Sequence, residues 1–158
     1  MSDETEKQEQ EIERRLEIRL LYLQGAAFDV PLGATAFFRE PLRPEAQVQL
    51  QNATREIAEG VYEVALTLSV TATLKEGQIL YSAQVQQAGI FGATGFARSD
   101  LGVLLGSYCP NLLFPFAREA ITNLAARGGF PTLIVQPVDF DALYAQRVKE
   151  AAASSAMH

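Results

Sequence analysis

Residues 101–131 read LGVLLGSYCPNLLFPFAREAITNLAARGGFP and carry the longest helical signal in the chain. Pro110 suits the first turn of a helix, because its missing N–H falls where a helix start leaves backbone donors unpaired. Arg127 followed by Gly128 and Gly129 is typical of a cationic last turn and a left-handed C-terminal cap. The pattern therefore predicts a helix over residues 110–127.

This predicted helix is apolar on more than one side. Leu112, Phe116 and Ile121 widen its apolar stripe beyond the width that usually faces a core. Such a helix needs a second partner, and in a chain of 158 residues we expect that partner to be another copy of the chain. The stripe itself consists of Leu113, Ala117, Ala120 and Leu124.

Alternation of apolar and polar residues upstream predicts strands over residues 16–23, 45–51, 61–74 and 78–87. The last two are joined by a short turn at Gly77, which predicts a hairpin. Asp139 offers a cap to a second amphipathic helix that begins near Phe140. The expected fold is α+β, a four-stranded antiparallel sheet with a long helix packed on one face and a second, C-terminal helix.

Composition excludes several classes of function. The net charge of -6 argues against nucleic acid as a partner, because binding to phosphates needs clustered Lys and Arg. His158 is the only histidine, which leaves no His-based metal cluster and no Ser-His triad. The carboxylates are scattered and Cys109 has no base beside it in the sequence. We therefore expect no enzyme, no cofactor and no metal.

Three segments are expected along the chain. Residues 1–15 are charged and predict a disordered tail. Residues 16–151 predict a single domain, and residues 152–158 a frayed end. The acidic N-terminus, the single Cys109 and the lack of an apolar run near ~20 residues indicate a soluble, cytoplasmic protein that does not insert into membranes.

A long loop over residues 25–44 connects the first two predicted strands and is rich in proline and aromatic residues. Loops of this length without secondary structure of their own are uncommon and are often functional. Phe28, Phe37 and Phe38 either close the edge of the sheet or form a binding surface, and the sequence favours neither reading.

Four segments together resemble the SecB family of bacterial protein-export chaperones. They are VYEVALTLSVTATL at 61–74, VQQAGIF at 85–91, LGSYCPNLLFPFAREAITNLAARGGFP at 105–131 and PVDFDALY at 137–144. The resemblance runs from about residue 16 to residue 148. It implies a protein that uses no nucleotide, holds preproteins unfolded in the cytoplasm and passes them to SecA. It also implies a homotetramer, a dimer of dimers with the long helices between the sheets.

The resemblance and the apolar pattern together predict two surfaces. Unfolded polypeptides are expected to bind in an apolar groove between the long loop and the second helix, lined by Leu42, Val48, Phe140, Tyr144 and Val148. Subunits are expected to meet on a surface that one chain cannot cover alone, formed by Tyr81, Ala83, Val85, Leu113, Ala117, Ala120 and Leu124.

The SecA-docking positions of the family correspond here to Gly25, Asp29, Ser82 and Gln84, and of these only Asp29 is acidic. The chain ends AAASSAMH, where the family has an acidic tail. We therefore expect weak, salt-sensitive binding to SecA. The alternative function is a SecB-like adaptor or a toxin-antitoxin-associated chaperone that is not coupled to SecA.

Overall fold

The computed structural model describes residues 13–38 and 43–156. In this part of the chain four antiparallel strands form one sheet, and a 3-10 turn over Gly33–Phe38 follows the first strand. The strands are β1 (Arg15–Asp29), β2 (Glu45–Ala58), β3 (Val61–Thr73) and β4 (Ile79–Thr94). Their order in the sheet is β1-β4-β3-β2, so that β1 and β2 are the edges.

Helices lie on one face of this sheet. They are α1 (Arg98–Val103), a π-helical turn (Leu104–Tyr108), α2 (Cys109–Arg127) and α3 (Phe140–Ala156). The predicted α+β fold, with a long helix on the sheet and a second helix at the C-terminal end, is confirmed.

The core lies between the sheet and α2. On β3 every second side chain from Val64 to Ala72 is fully buried, as the alternation in the sequence predicted. The helix contributes Leu113, Ala117 and Ile121, each with no exposed surface. One face of the sheet is therefore closed by a helix of the same chain.

The long helix does not begin at Pro110, and this part of the prediction is wrong. It begins at Arg98 and passes through the π-helical turn, in which the Cys109 N–H donates to the Leu104 carbonyl, five residues back. A proline inside an α-helix has no N–H to donate, and its ring crowds the carbonyl four residues earlier. The wider turn just before Pro110 gives that ring room and lets the helix continue.

The predicted end of the helix is confirmed. The N–H of Phe130 donates to the Ala125 carbonyl at 3.1 Å, and the N–H of Gly129 donates to the Ala126 carbonyl at 3.0 Å. Gly129 has a φ of 86°, in the left-handed region that a residue with a side chain adopts only under strain. These bonds form a Schellman cap directly after Arg127.

Strands β1, β2 and β4 are longer than their sequence patterns indicated. β4 continues through Gly89 and Gly92 to Thr94. A Cβ at position 89 would lie 2.7 Å from the Cε2 of Phe91, so that the ring of Phe91 occupies the space a side chain would need. Glycine is therefore part of the packing of this strand.

The described residues stop short of both ends of the chain. Residues 1–12, most of the predicted disordered tail, lie outside the described residues. Helix α3 continues to Ala156, and the fraying of residues 152–158 stays a prediction. Among the described helices, none is both long and apolar enough to cross a membrane.

Candidate polypeptide-binding groove

Helix α3 is attached to the subunit by its first turn. Phe140 is 6% exposed, and its ring meets that of Phe114 edge-on with centroids 5.7 Å apart. The Ala142 N–H donates to Asp139 Oδ1 at 3.1 Å, which confirms the predicted cap. The hydroxyl of buried Ser107 donates to the carboxylate of Asp141. These contacts fix the start of α3 against the π-helical turn and α2.

One turn later, Tyr144 lies in a slot formed by two glycines of the neighbouring helix. A Cβ at Gly106 would lie 2.5 Å from Tyr144 Cδ2, and a Cβ at Gly102 would lie 2.6 Å from the Tyr144 hydroxyl oxygen. Two residues spaced by four share one face of a helix, so the pair of glycines was a readable signal for close approach of another element. Sequence reasoning missed it.

Phe140 and Tyr144 are both less accessible than the predicted groove requires. Both were expected to line a groove for unfolded chains, but Phe140 is a core residue and Tyr144 is half-buried against the two glycines. We assign both side chains to the attachment of α3. The remaining predicted residue of this helix, Val148, is 50% exposed.

A cavity lies between α3 and the edge strand β2. Arg147 of α3 lines a cavity of about 290 Å³ together with Gln51, Asn52 and Ala53 of β2 and Thr67 of β3. On β2, Val48 is 43% exposed. Of the predicted groove residues, Val48 and Val148 are thus accessible on the two elements that form it, whereas Leu42 lies outside the described residues.

The aromatic residues of the long loop divide between the two readings that the sequence left open. Phe37 stacks on Phe130 with centroids 5.2 Å apart, and Phe130 and Phe28 both contact Tyr81. This cluster covers the C-terminal end of α2 and closes the edge of the sheet. Phe38 is 84% exposed and directly precedes residues 39–42, which are not described.

The residues predicted to join subunits are mostly core residues of a single subunit. Tyr81, Ala83, Val85, Leu113 and Ala117 are each no more than 3% exposed, and burial raises the pKa of the Tyr81 hydroxyl. The reason given for a subunit contact, that one chain cannot cover these side chains, is therefore wrong. Ala120 and Leu124 are half-buried at the border of the same core.

A different stripe of the long helix faces away from the sheet. Tyr108 is 48% exposed and Phe116 is 49% exposed, and half-buried Leu112 and Ala120 lie between and after them at the same spacing of four residues. Side chains at this spacing line one face of a helix. Exposed apolar faces of this kind are common where two chains meet.

The predicted SecA-docking positions come together on the other face of the sheet. Asp29 pairs with Ser82 and Ala27 with Gln84 across β1 and β4, and all four line a shallow cavity of about 190 Å³. At Gly25 a Cβ would lie 2.9 Å from Gln86 Oε1, so that the Gln86 side chain fills the space. The surface around Asp29 is polar and largely uncharged.

A second acid on this outer face, Glu63, is fully engaged. The Tyr22 hydroxyl donates to its carboxylate, and the Arg55 Nε–H donates to Oε1 at 3.1 Å. The hydrogen bond from Tyr22 is the largest cause that lowers the pKa of Glu63, and the hydrogen bond and positive charge of Arg55 lower it further. Its charge is therefore held within the sheet surface and adds little to any field that an approaching partner meets.

The described residues show neither a reactive thiol nor a group of metal ligands. Cys109 is fully buried, and burial raises the pKa of its thiol to about 12, so that it is not a nucleophile at neutral pH. Within the described residues no three His, Cys, Asp or Glu side chains are placed to hold a metal ion together.

Comparisons with known proteins agree with this fold. A family model described as preprotein translocase subunit SecB matches residues 7–151. A protein of Nitrosococcus oceani named protein-export protein SecB is 45% identical, over 94% of this chain and 92% of its own length. A protein of Methylococcus capsulatus with the same name is 40% identical, over 92% of each chain.

Among solved structures, this chain is similar to a SecB-like chaperone of Mycobacterium tuberculosis in complex with a ChAD peptide from the HigA1 antitoxin. The TM-score is 0.63 at 16% sequence identity, and the match covers 78% of this chain and 91% of the other. At this level of identity the similarity concerns the fold alone.

Proposed function

The chain belongs to the SecB family of preprotein translocase subunits, and we propose that it is a cytoplasmic holdase chaperone for protein export. It binds unfolded preproteins, keeps them competent for translocation and passes them to SecA. The observation that carries the proposal is the family match over residues 7–151, joined to a cavity between β2 and α3 and to exposed valines on both elements. This is binding without covalent chemistry, so we infer no enzymatic activity.

The relatives favour export over the alternative function. Proteins 40–45% identical over most of both chains carry the name of protein-export proteins, whereas the antitoxin-bound chaperone is 16% identical. An adaptor limited to an antitoxin is therefore the weaker candidate, and we do not propose it.

The binding surface combines apolar contact with open backbone. Val48 and Val148 offer half-exposed branched side chains, Phe38 offers an exposed ring, and β2 leaves one side of its backbone unpaired at the edge of the sheet. An unfolded chain presents the complementary groups, namely apolar side chains and free N–H and C=O groups. Leu42 lies outside the described residues, and its part in the groove stays a prediction.

The proposal is tested by mixing the protein with a slowly refolding preprotein and following both refolding and light scattering. We expect the wild type to delay refolding and suppress scattering, and Val48→Ser with Val148→Ser to weaken both effects. Ile57→Ser is the matched control, because Ile57 is also on β2 and is also 43% exposed. A wild type without effect on the preprotein would disprove the function.

Assembly into a homotetramer, a dimer of dimers, is part of the proposal. Two separate exposed apolar surfaces support it, which is the number that two kinds of subunit contact need. One is the outward stripe of the helix at Tyr108, Leu112, Phe116 and Ala120. The other is the edge strand β1, where Ile18, Leu20 and Leu23 are each about half exposed. An exposed apolar edge strand is a template for pairing with a second chain.

The helix stripe is tested by Phe116→Glu, which puts a charge into the proposed contact. We expect sedimentation of a smaller species with an unchanged circular dichroism spectrum, because Phe116 is half-exposed in the subunit. Ile57→Glu is the control for adding a charge to an exposed apolar position. Unchanged mass of the Phe116→Glu variant would remove this stripe from the assembly.

Coupling to SecA rests on Asp29 and is expected to be weak. The docking region holds Asp29 beside uncharged Ser82 and Gln84, and Glu63, at the far end of the same face, is engaged with Tyr22 and Arg55. We expect binding that falls with salt and falls further in Asp29→Asn, whereas Glu119→Gln on α2 has no effect. A tight complex that is insensitive to salt and to Asp29→Asn would contradict this part of the proposal.

A further inference from the structure

Asn52 is a polar residue in the middle of edge strand β2. It pairs across the sheet with Leu66, which is 1% exposed, and it shares the inner face of the strand with Val48 and Leu50. Within the part of the chain that the structure describes, Asn52 Oδ1 is buried and has no hydrogen-bond partner. Buried polar atoms almost always have one.

An unpaired acceptor of this kind lowers the stability of the subunit. The desolvation of this oxygen is not offset by a hydrogen bond, and an apolar side chain of similar shape avoids that cost. Leucine would therefore suit the fold better at this position. The amide calls for a partner that the subunit itself does not supply.

The surroundings indicate where that partner comes from. Asn52 lines the cavity of about 290 Å³, together with Gln51, Thr67 and Arg147 of α3. This cavity is large compared with the roughly 30 Å³ that one water molecule takes up in the liquid. It lies between the two elements that form the proposed groove.

Arg147 is the part of the cavity wall that moves at least cost. Its side chain is exposed and makes no ion pair with a described residue, and α3 beyond Tyr144 is exposed on all sides. A chain that enters the groove can therefore displace Arg147 without breaking a contact of the core. Such a movement opens the wall of the cavity that Asn52 also lines.

We propose that Asn52 binds the backbone of an unfolded polypeptide, its Oδ1 accepting a hydrogen bond from a backbone N–H of the bound chain. This inference rests on the proposed function and names the polar contact within that groove. Every residue except proline supplies the same N–H, so the contact holds an extended chain without reading its sequence. The apolar side chains of Val48 and Val148 then need only nonspecific apolar contact, which suits a receptor for many clients.

The first test is Asn52→Leu, which keeps the branched shape of the side chain and removes the amide. We expect an unchanged or higher melting temperature together with binding of an extended leucine-serine peptide that is about three- to tenfold weaker. The control is Thr54→Val, a swap of a polar for an apolar side chain two residues along the exposed part of the same strand. It should leave the affinity unchanged.

The second test changes the peptide. An analogue with N-methyl groups at every second residue lacks the donors on one edge, so the wild type should prefer the unmodified peptide and Asn52→Leu should lose most of that preference. Equal preference in both proteins, or equal affinity of both for the unmodified peptide, overturns the inference and leaves the proposed function standing. A lower melting temperature of Asn52→Leu also overturns it, since the amide would then have a structural partner. A wild type that binds neither peptide nor preprotein overturns both.

Discussion

Helices α2 and α3 are similar in length, with 19 and 17 residues, but their own subunit covers them very differently. α2 buries residues along its whole length, from Cys109 to Ala125, and ends in a Schellman cap. α3 buries Phe140, rests Tyr144 against two glycines and is exposed beyond that turn. The first helix is therefore part of the folding unit, whereas the second is attached mainly through its first two turns.

The largest loss of stability is expected from a truncation on α2. Ile121→Ala removes a fully buried side chain between the helix and the sheet, and we expect a loss of about 2–5 kcal/mol in the free energy of unfolding. Val148→Ala on α3 is the matched truncation, and it should stay within about 0.5 kcal/mol of the wild type because Val148 is half exposed. Chemical denaturation of both variants measures the contrast, and equal losses would contradict it.

Val85→Arg belongs to the same class, although the sequence predicted Val85 in a contact between subunits. Val85 is fully buried beneath α2, so that the charge enters the core of the subunit. We expect an unfolded or aggregated protein in place of a dissociated but folded one. Circular dichroism at the temperature of purification distinguishes the two.

The second effect concerns the slot that holds Tyr144. Gly106→Ala places a methyl group 2.5 Å from Tyr144 Cδ2, and we expect α3 to detach locally at a cost of about 1–3 kcal/mol. Hydrogen exchange should speed up in α3 and remain slow in β3 and α2. Combining Gly106→Ala with Tyr144→Ala removes both the clash and the contact. Hydrogen exchange in α3 should then stay as fast as in the single variant, whereas the global stability lost through the clash should return. Protection of α3 at the wild-type level in the single variant would show that the slot is not what holds it.

A smaller effect is expected at the cap of α3. Asp139→Ala removes the acceptor for the Ala142 N–H and should lower the local stability of α3 by about 1 kcal/mol. Asp139→Ser keeps a capping oxygen and serves as the control. If both substitutions change hydrogen exchange in α3 equally, the carboxylate acts there in another way.

The smallest effect on stability is expected at Val148, where binding should change and stability should not. Val148→Ser should leave the melting temperature within error and weaken peptide binding by about two- to fivefold, because part of an apolar contact is lost. Ala145→Ser, on the same exposed half of α3, is the control. A drop in melting temperature with unchanged affinity would make Val148 a structural residue.

Much of the fold could be predicted because the core strands and the helix end follow simple rules. The alternation from Val64 to Ala72 on β3 and the Gly128-Gly129 cap are visible in the sequence and are present in the structure. The predicted second strand ended at residue 51, whereas β2 continues to Ala58. Residues 52–58 lie on an exposed edge and do not alternate between apolar and polar, so that no pattern indicated this part of the strand. The start of the long helix was missed because Pro110 is compatible with a first turn and equally with a π-helical turn just before it.

The candidate site was less predictable, because accessibility depends on which neighbours cover a side chain. Tyr81, Val85 and Leu113 look identical in the sequence to residues that a second subunit would cover, yet α2 and the sheet of one chain bury them. Phe140 and Val148 lie on the same helix and differ in exposure from 6% to 50% because only the first turn of that helix is attached. Periodicity identifies a face of a helix but not what that face contacts.

The position of Cys109 has a consequence for chemical kinetics. Its sulfur lies at the junction between the π-helical turn and α2, with no exposed surface, and burial keeps the thiol protonated at neutral pH. A thiol reagent can therefore react only while this junction is open, and when closing is faster than reaction the observed labelling rate is proportional to the fraction of open molecules. Cys109 is the only cysteine in the chain, so that its labelling rate reports the opening of α2 alone. Comparing this rate between free and peptide-bound protein measures how much a ligand at α3 stabilises the closed state of α2.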